Sequence, residues 1–264
     1  VNHLEHNRRA WNRQSAARER WSIPVGADVI ARARRGDWQI FLTPDTPVPA
    51  DWFGAVSGAR VLCLASSGGQ QAPILAAAGA LVVSFDLSEE QLARDAEVAA
   101  RDGLSLLTVR GDMADLSVFA DHEFDLIFHP VSNVFVPDLV PIWRECHRVL
   151  RPGGVVLAGF MNPAFFLFDH EEAETTGALL ARHRLPYREF GDVADTAQLS
   201  SKRRAQLAAG DAFEFSHGLQ TQIGGLLAAG FYLTALFEDH WTGASTPLDA
   251  LMPTSIAMRA VKMR

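Results

Sequence analysis

Residues 60–86, RVLCLASSGGQQAPILAAAGALVVSFD, decide the fold. A short apolar run, Val61–Leu64, meets a loop of small residues, Ala65–Gly69. A helical pattern follows over Gln71–Ala78, with Pro73 tolerated in the first turn. A second apolar run, Leu81–Phe85, ends at Asp86. The order is strand, tight turn, helix, strand, acid, which is the first half of a nucleotide-binding α/β sheet. Small side chains let a ligand approach the backbone at the mouth of the strand. The helix N-terminus offers unpaired N–H groups and the positive end of a dipole. An acid at the tip of the next strand can accept hydrogen bonds from both hydroxyls of a ribose.

The same alternation continues outward. Ser88 reads as the N-cap of a helix over Glu89–Arg101, with Gln91 as its capping-box partner. Leu104–Arg110 and Phe124–His129 read as strands 3 and 4. A helix over Asp138–Leu150 stops at Arg151-Pro152-Gly153-Gly154, and Val155–Phe160 is strand 5. Strands and helices alternating at this spacing imply a parallel sheet covered by helices on both faces. Residues 161–219 break the pattern, with helical patches at Glu171–His183 and Ser200–Ala209 and an apolar run at Ala212–Phe215. Gln222–Ala229 reads as the last core helix, and Phe231–Phe237 and Ile256–Lys262 as two closing strands. Residues 1–58 carry a helical pattern over Asn7–Ile23 and a shorter one over Asp28–Gly36, but too little apolar content for a core of their own. The expected organisation is one domain: a cap (1–58), a sheet core (59–160 and 220–264) and an insertion (161–219) that covers the site.

Composition narrows the function classes. The 264 residues are 48% hydrophobic, enough for a sizeable core, and no apolar run is long enough to span a bilayer. The polar, Arg-rich start does not read as a signal peptide. The two cysteines, Cys63 and Cys146, fall on an apolar strand and a charged helix, so no disulfide and a cytoplasmic location are expected. The net charge of −7 disfavours nucleic acid as a partner, although residues 1–38 hold eight Arg against four acids. His3, Glu5 and His6 have no second cluster to join them, and the His122-Glu123 pair lacks a His at position 126, so no metal site is expected.

Five further segments carry a resemblance. The loop Val61-Leu62-Cys63-Leu64-Ala65-Ser66-Ser67-Gly68-Gly69 stands where V-L-D-L-G-C-G-T-G is usual. Gly111-Asp112-Met113-Ala114-Asp115-Leu116, Phe124-Asp125-Leu126-Ile127, Glu145-Cys146-His147-Arg148-Val149-Leu150-Arg151-Pro152-Gly153-Gly154 and Leu226-Leu227-Ala228-Ala229-Gly230-Phe231 follow in order. Together they resemble the class I S-adenosylmethionine-dependent methyltransferases of the small-molecule methyltransferase 11/25 type. The resemblance covers residues 60–160 and 220–264. It implies a Rossmann-like doubly wound, mostly parallel seven-stranded sheet whose last strand is antiparallel. It implies S-adenosyl-L-methionine as cofactor, S-adenosyl-L-homocysteine as product, and a small-molecule acceptor methylated by direct displacement. The implied cofactor residues are Ala65, Ser66, Ser67, Gly68, Gly69, Gln70, Asp86, Leu87, Gly111, Asp112, Met113, His129 and Val131. Asp86 would take the ribose, Asp112 the adenine amino group, and Met113 would pack on the ring. The first motif departs from the family: Cys63 replaces the acid, and Ala65 and Ser67 replace two glycines.

No base is fixed by these motifs. His129, at the C-terminal edge of strand 4 where open α/β sheets bind ligands, is the one catalytic candidate. Trp11, Trp21, Asn133 and His217 are candidates to face the acceptor. Against each stands a plainer role: Trp11 and Trp21 anchoring the cap, His217 capping a helix. Two other functions share the pattern. A non-catalytic S-adenosylmethionine-binding protein could use the same fold with a degenerate loop. An NAD(P)-dependent oxidoreductase shares strand–loop–helix–strand–acid, but G-x-G-x-x-G is absent, and Tyr187 and Tyr232 lack the Lys four residues on that short-chain dehydrogenases need.

Overall fold

The computed structural model describes residues 2–191, 196–242 and 246–263. Its centre is a seven-stranded sheet of order β3-β2-β1-β4-β5-β7-β6. The strands are β1 (Arg60–Leu64), β2 (Leu81–Asp86), β3 (Leu106–Arg110), β4 (Phe124–His129), β5 (Leu150–Met161), β6 (Phe231–Asp239) and β7 (Ser255–Lys262). Strands β1 to β5 pair in parallel, and β7 runs antiparallel to both β5 and β6. The fold is therefore the expected Rossmann-like one with an antiparallel last strand.

Side-chain alternation along the strands divides the core into two layers. Leu62 and Leu64 of β1 point to one face, where α5 (Val140–Val149) packs Ile142, Trp143, Cys146 and Val149. Val61 and Cys63 point to the other, against α2 (Ala27–Ala33), α3 (Gln71–Ala77) and α4 (Glu89–Asp102). The N-terminal segment also lines this second face, burying Ile40, Leu42, Trp52 and Phe53. Both cysteines are buried and free.

Local chemistry explains most boundaries. Ser88 Oγ accepts the Gln91 N–H at 3.1 Å and starts α4, and Gly103 ends it in the left-handed region at φ 62°. The reciprocal half of the capping box is absent: the Ser88 N–H donates to Asp86 Oδ1 at 2.9 Å, which frees the Gln91 side chain. Helix α1 runs His3–Ala16, earlier and shorter than Asn7–Ile23, because its cap is Asn2 and the chain turns at Arg18 with φ 51°. Strand β5 begins at Leu150, which pairs with Phe124 before a register shift, so Arg151–Gly154 form its bulged entry.

In the insertion, α6 (His170–Thr176) stops at Gly177, well before His183. Helix α7 (Ser201–Ala209) is capped by Ser200. The Ala212–Phe215 run forms no strand beyond one bridge, Arg188 to Phe215. The last core helix opens as a π turn, Gln220–Gly224, that leads into α8 (Gly225–Ala228).

Helix α1 ties the insertion to the sheet. Asn7 Nδ2 donates to the carbonyls of Phe135 (3.0 Å) and Phe213 (3.1 Å), and its Oδ1 accepts the Phe213 N–H at 2.7 Å. Ser15 Oγ donates to the Glu90 carbonyl at 2.8 Å, and Arg8 pairs with Glu89. The segment before β1 lies equally close to the sheet. A Cβ built on Gly159 of β5 would stand 2.1 Å from the Leu42 carbonyl oxygen. That oxygen accepts the Val131 N–H at 3.1 Å, which docks residues 40–43 beside the end of β4. Gly159→Ala is expected to push this segment off the sheet and to lower stability by about 1–3 kcal/mol in urea unfolding. A variant as stable as the parent would show that the close approach is dispensable.

Candidate active site

The C-terminal ends of β1, β2 and β4 open into one cavity of about 410 Å³. Open α/β sheets place ligands at this edge. The turn after β1 supplies Ala65, Ser66, Ser67 and Gln70 to the wall. Ala65 holds φ 47°, a left-handed conformation that a side chain disfavours by about 1–2 kcal/mol. This is where the family pattern has its first glycine. The turn is fixed from below by two carboxylates. Asp95 of α4, fully buried, accepts the Gly69 N–H at 2.7 Å and the Ser84 hydroxyl at 2.6 Å. Asp86 accepts the Ser88 N–H at 2.9 Å and approaches the Ser67 N–H at 3.4 Å.

Asp95 was not legible as a site residue, since nothing in α4's pattern separates it from a surface acid. It places a carboxylate under the turn from the helix, where the strand has Cys63 in place of an acid. Cys63 is buried, and burial pushes its thiol far above the usual range, so it brings no charge. Burial also raises the Asp86 carboxyl to about 6, against the opposing pull of the N–H donors of Ser88 and Ser67. Asp95 is raised to about 7, by burial first and then by the nearby Asp86, while Ser84 and Gly69 pull it down.

The other expected residues divide cleanly. Leu87, Gly111, Asp112, Met113 and Val131 line the cavity with Asp86, as do Trp11 and Trp21. Asp112 also accepts the Ala114 N–H at 3.0 Å, so it builds its own turn while facing the cavity. Gly68 and Gly69 do not line it, because the N-terminal segment occupies their open side. A Cβ on Gly68 would stand 2.2 Å from the Trp21 carbonyl oxygen, and one on Gly69 would stand 2.8 Å from Pro24.

His129, Asn133 and His217 are also outside the lining. His129 is wholly buried, with Nδ1 3.0 Å from the Leu64 carbonyl and Nε2 2.8 Å from the Asn133 side-chain oxygen. Asn133 in turn reaches Gln222 at 2.8 Å. With the two side-chain amides turned end for end, a neutral imidazole satisfies this chain, donating to Leu64 and accepting from Asn133. Burial lowers the His129 pKa, which favours that neutral form. His217 Nε2 lies 2.8 Å from the Val136 carbonyl and 3.1 Å from that of Asn133, and so ties the insertion to the loop after β4. His129 and Asn133 spend their side-chain polar atoms on the scaffold, as does His217 through Nε2, and, against the expectation, none of the three lines this cavity.

Several lining residues carry no motif. Gln91 is buried with its Oε1 unpartnered, 3.1 Å from where a Gly68 Cβ would lie. Phe41, Phe85, Phe135, Phe165, Phe166 and Trp241 add aromatic walls, and Glu214 adds a third carboxylate. Trp21 and Trp241 pair at 5.7 Å between ring centroids, with the Arg20 guanidinium 4.9 Å and 4.2 Å from the two rings. Among the described residues, the lining holds Asp86, Asp112 and Glu214 and no Lys, Arg or His.

A sheet of this order, with a βα turn and a strand-end acid opening into one cavity, defines a nucleoside-binding α/β fold. Residues 62–158 match the family model described as a methyltransferase domain. The chain is 44% identical over 260 residues, 98% of each chain, to the uncharacterized methyltransferase YbaJ of Bacillus subtilis (strain 168). It is 32% identical over 171 residues to a ubiquinone biosynthesis O-methyltransferase of Xanthomonas oryzae pv. oryzae, covering 61% of this chain and 70% of that one. An S-adenosylmethionine-dependent methyltransferase from Mesorhizobium loti shares the fold at a TM-score of 0.60 and 20% identity, over 90% of this chain and 100% of that one. The chain belongs to the S-adenosylmethionine-dependent methyltransferase family.

His129→Gln is expected to lower stability by about 1–3 kcal/mol, because it breaks a buried polar chain. The folded variant should keep its affinity for S-adenosylhomocysteine within about twofold by calorimetry. A stable variant that no longer bound the nucleoside would return His129 to the site.

Proposed function

We propose that this protein binds S-adenosylmethionine in the cavity at the ends of β1, β2 and β4 and transfers its methyl group to a small acceptor with an apolar body. One observation carries the reading: the charge and aromatic inventory of the lining. Three carboxylates and eight aromatic rings face a space with no cationic side chain among the described residues. That inventory suits a ligand bearing a positive charge, which carboxylates attract and aromatic faces accommodate. It opposes the pyrophosphate of a dinucleotide, which needs N–H or cationic donors, and so counts against an oxidoreductase.

Asp86, a carboxylate in the wall at the tip of β2, fits the hydroxyls of a nucleoside. Asp86 would hold the ribose hydroxyls. Asp112 and Met113 would flank the adenine, with Leu87 and Gly111 beside them. Ala65, Ser66, Ser67 and Gln70 would border the amino-acid moiety. When bound, the cofactor supplies a sulfonium methyl that a nucleophile displaces in line. The chain's part is to hold both partners in register and to exclude water, which Trp11, Trp21 and Trp241 do from the cap side. A small acceptor is favoured because the cap and insertion enclose the cavity. No helix among the described residues is long and apolar enough to cross a membrane.

Calorimetry with S-adenosylhomocysteine tests the reading, with NADH as the control. Affinity is expected for the former alone, and Asp86→Ala should abolish most of it. Ionised, the Asp86 carboxyl accepts from two hydroxyls more strongly than its acid form does, and burial raises it to about 6. Affinity should therefore fall about tenfold as pH drops from about 7 to about 5, and Asp86→Asn should flatten that dependence. Unchanged affinity in Asp86→Ala would place the nucleoside elsewhere.

A further inference from the structure

The proposed function leaves open how the acceptor loses its proton. His129 is spent on the scaffold, so a base must come from another wall. Glu214 is the third carboxylate of the cavity, supplied by the insertion. Its backbone is firmly placed: the Glu214 N–H donates to Glu189 Oε2 at 2.8 Å, and its carbonyl accepts the Glu189 N–H at 3.1 Å. Glu189 is neutralised by Arg203 in a two-pronged pair at 2.7 and 2.8 Å and accepts the Tyr187 hydroxyl at 2.8 Å. Arg203, the cation whose charge reaches Glu214, is thereby committed to Glu189, and among the described residues no hydrogen bond or ion pair holds the Glu214 carboxylate. It stands beside Phe165 and Phe166, which with it separate the apolar cavity from a smaller polar hollow of about 250 Å³. A carboxylate that holds nothing together and faces an aromatic space is an unusual use of charge, since burying one unpaired is costly.

We infer that Glu214 is the general base of the reaction and that the acceptor is a hydroxyl compound with an apolar, aromatic-sized body. The inference rests on the proposed function above. In the step, the acceptor O–H bond breaks and its proton passes to a Glu214 carboxylate oxygen. The oxygen's freed electron pair forms the new O–CH3 bond, and the S–CH3 bond breaks with its pair going to sulfur. One positive and one negative charge disappear together. A low-dielectric, aromatic cavity favours that loss of charge, whereas methylating a neutral amine would leave an ammonium in place of the sulfonium. Burial and the neighbouring Glu189 carboxylate raise the Glu214 carboxyl well above the usual carboxylate range, partly offset by Arg203, which suits a proton acceptor near neutrality. The polar hollow behind it offers the proton a way out.

The test uses 4-propylphenol, 4-propylaniline and propylbenzene, which share one apolar body. Binding is read by quenching of tryptophan fluorescence in the presence of S-adenosylhomocysteine. The parent should bind the phenol about tenfold more tightly than propylbenzene, and Glu214→Gln should lose that preference while keeping its nucleoside affinity and melting temperature. With S-adenosylmethionine, the phenol should be methylated in preference to the aniline. Glu214→Gln should lose about 10²- to 10⁴-fold in kcat, and Glu214→Asp should recover part of it. Equal affinity for phenol and propylbenzene, preference for the aniline, no turnover of the phenol, or an unchanged kcat in Glu214→Gln would each overturn the inference. Failure of the parent to bind S-adenosylhomocysteine would instead overturn the proposed function, and the phenol and propylbenzene comparison in the ligand-free protein would still decide the role of Glu214.

Discussion

The structure depends on how the turn between Leu64 and Gln71 is held. Five small residues reverse the chain at the edge of the sheet, and three of them, Ala65, Gly68 and Gly69, sit at positive φ. Such a turn has little intrinsic stability. It is fixed from inside by Asp95 on the Gly69 N–H and from outside by the cap, where the Val25 N–H donates to the Gly69 carbonyl at 2.8 Å. The two contacts clamp one residue from opposite sides. Gly68 and Gly69 hold positive φ, and Trp21 and Pro24 lie against them where a Cβ would stand.

This arrangement gives the N-terminal segment two duties. Its Trp21–Val25 stretch closes the turn, and the helix before it carries Trp11 to the cavity and clips the insertion through Asn7. One continuous stretch therefore touches the βα turn, one wall of the cavity and the insertion together. Disturbing its docking would loosen all three. Helix α1 is itself strongly polar and gains its position from specific bonds to Phe135, Phe213 and Glu90 more than from apolar burial.

How much of this could be read from residues alone follows from the range of the forces involved. The sheet, its order of elements and the strand-end acids were legible because each rests on local periodicity or on one short motif: Asp86 and Asp112 both stand where the strand ends put them. His129 was misplaced for a physical reason. Its position at a strand end is right for a ligand, but its side chain turns inward to the Leu64 carbonyl, and a strand pattern does not reveal the rotamer. Asn133 and His217 lie in the turn after β4 and in the loop before the last helix, where long-range bonds to Gln222 and to the Val136 carbonyl set the side chains and no local pattern shows them. Asp95, Gln91 and Glu214 were invisible because each acts across the fold. Their sequence neighbourhoods are an ordinary charged helix and an apolar run, and only packing shows that Asp95 reaches a turn 26 residues away.

The acids of the site also make sense as a set. Asp86 and Asp95 both hold carboxyls raised by burial, so folding works against their ionisation. By linkage, the stability that their protonated forms contribute is fully present below about 4 and is lost as pH rises through about 6 for Asp86 and about 7 for Asp95. At neutral pH the folded chain therefore bears a cost of burying these carboxyls, with a smaller repulsion of Asp95 by Asp86, that a purely structural core would avoid with apolar groups. A positively charged ligand would offset it on binding, and a neutral product formed in its place would not.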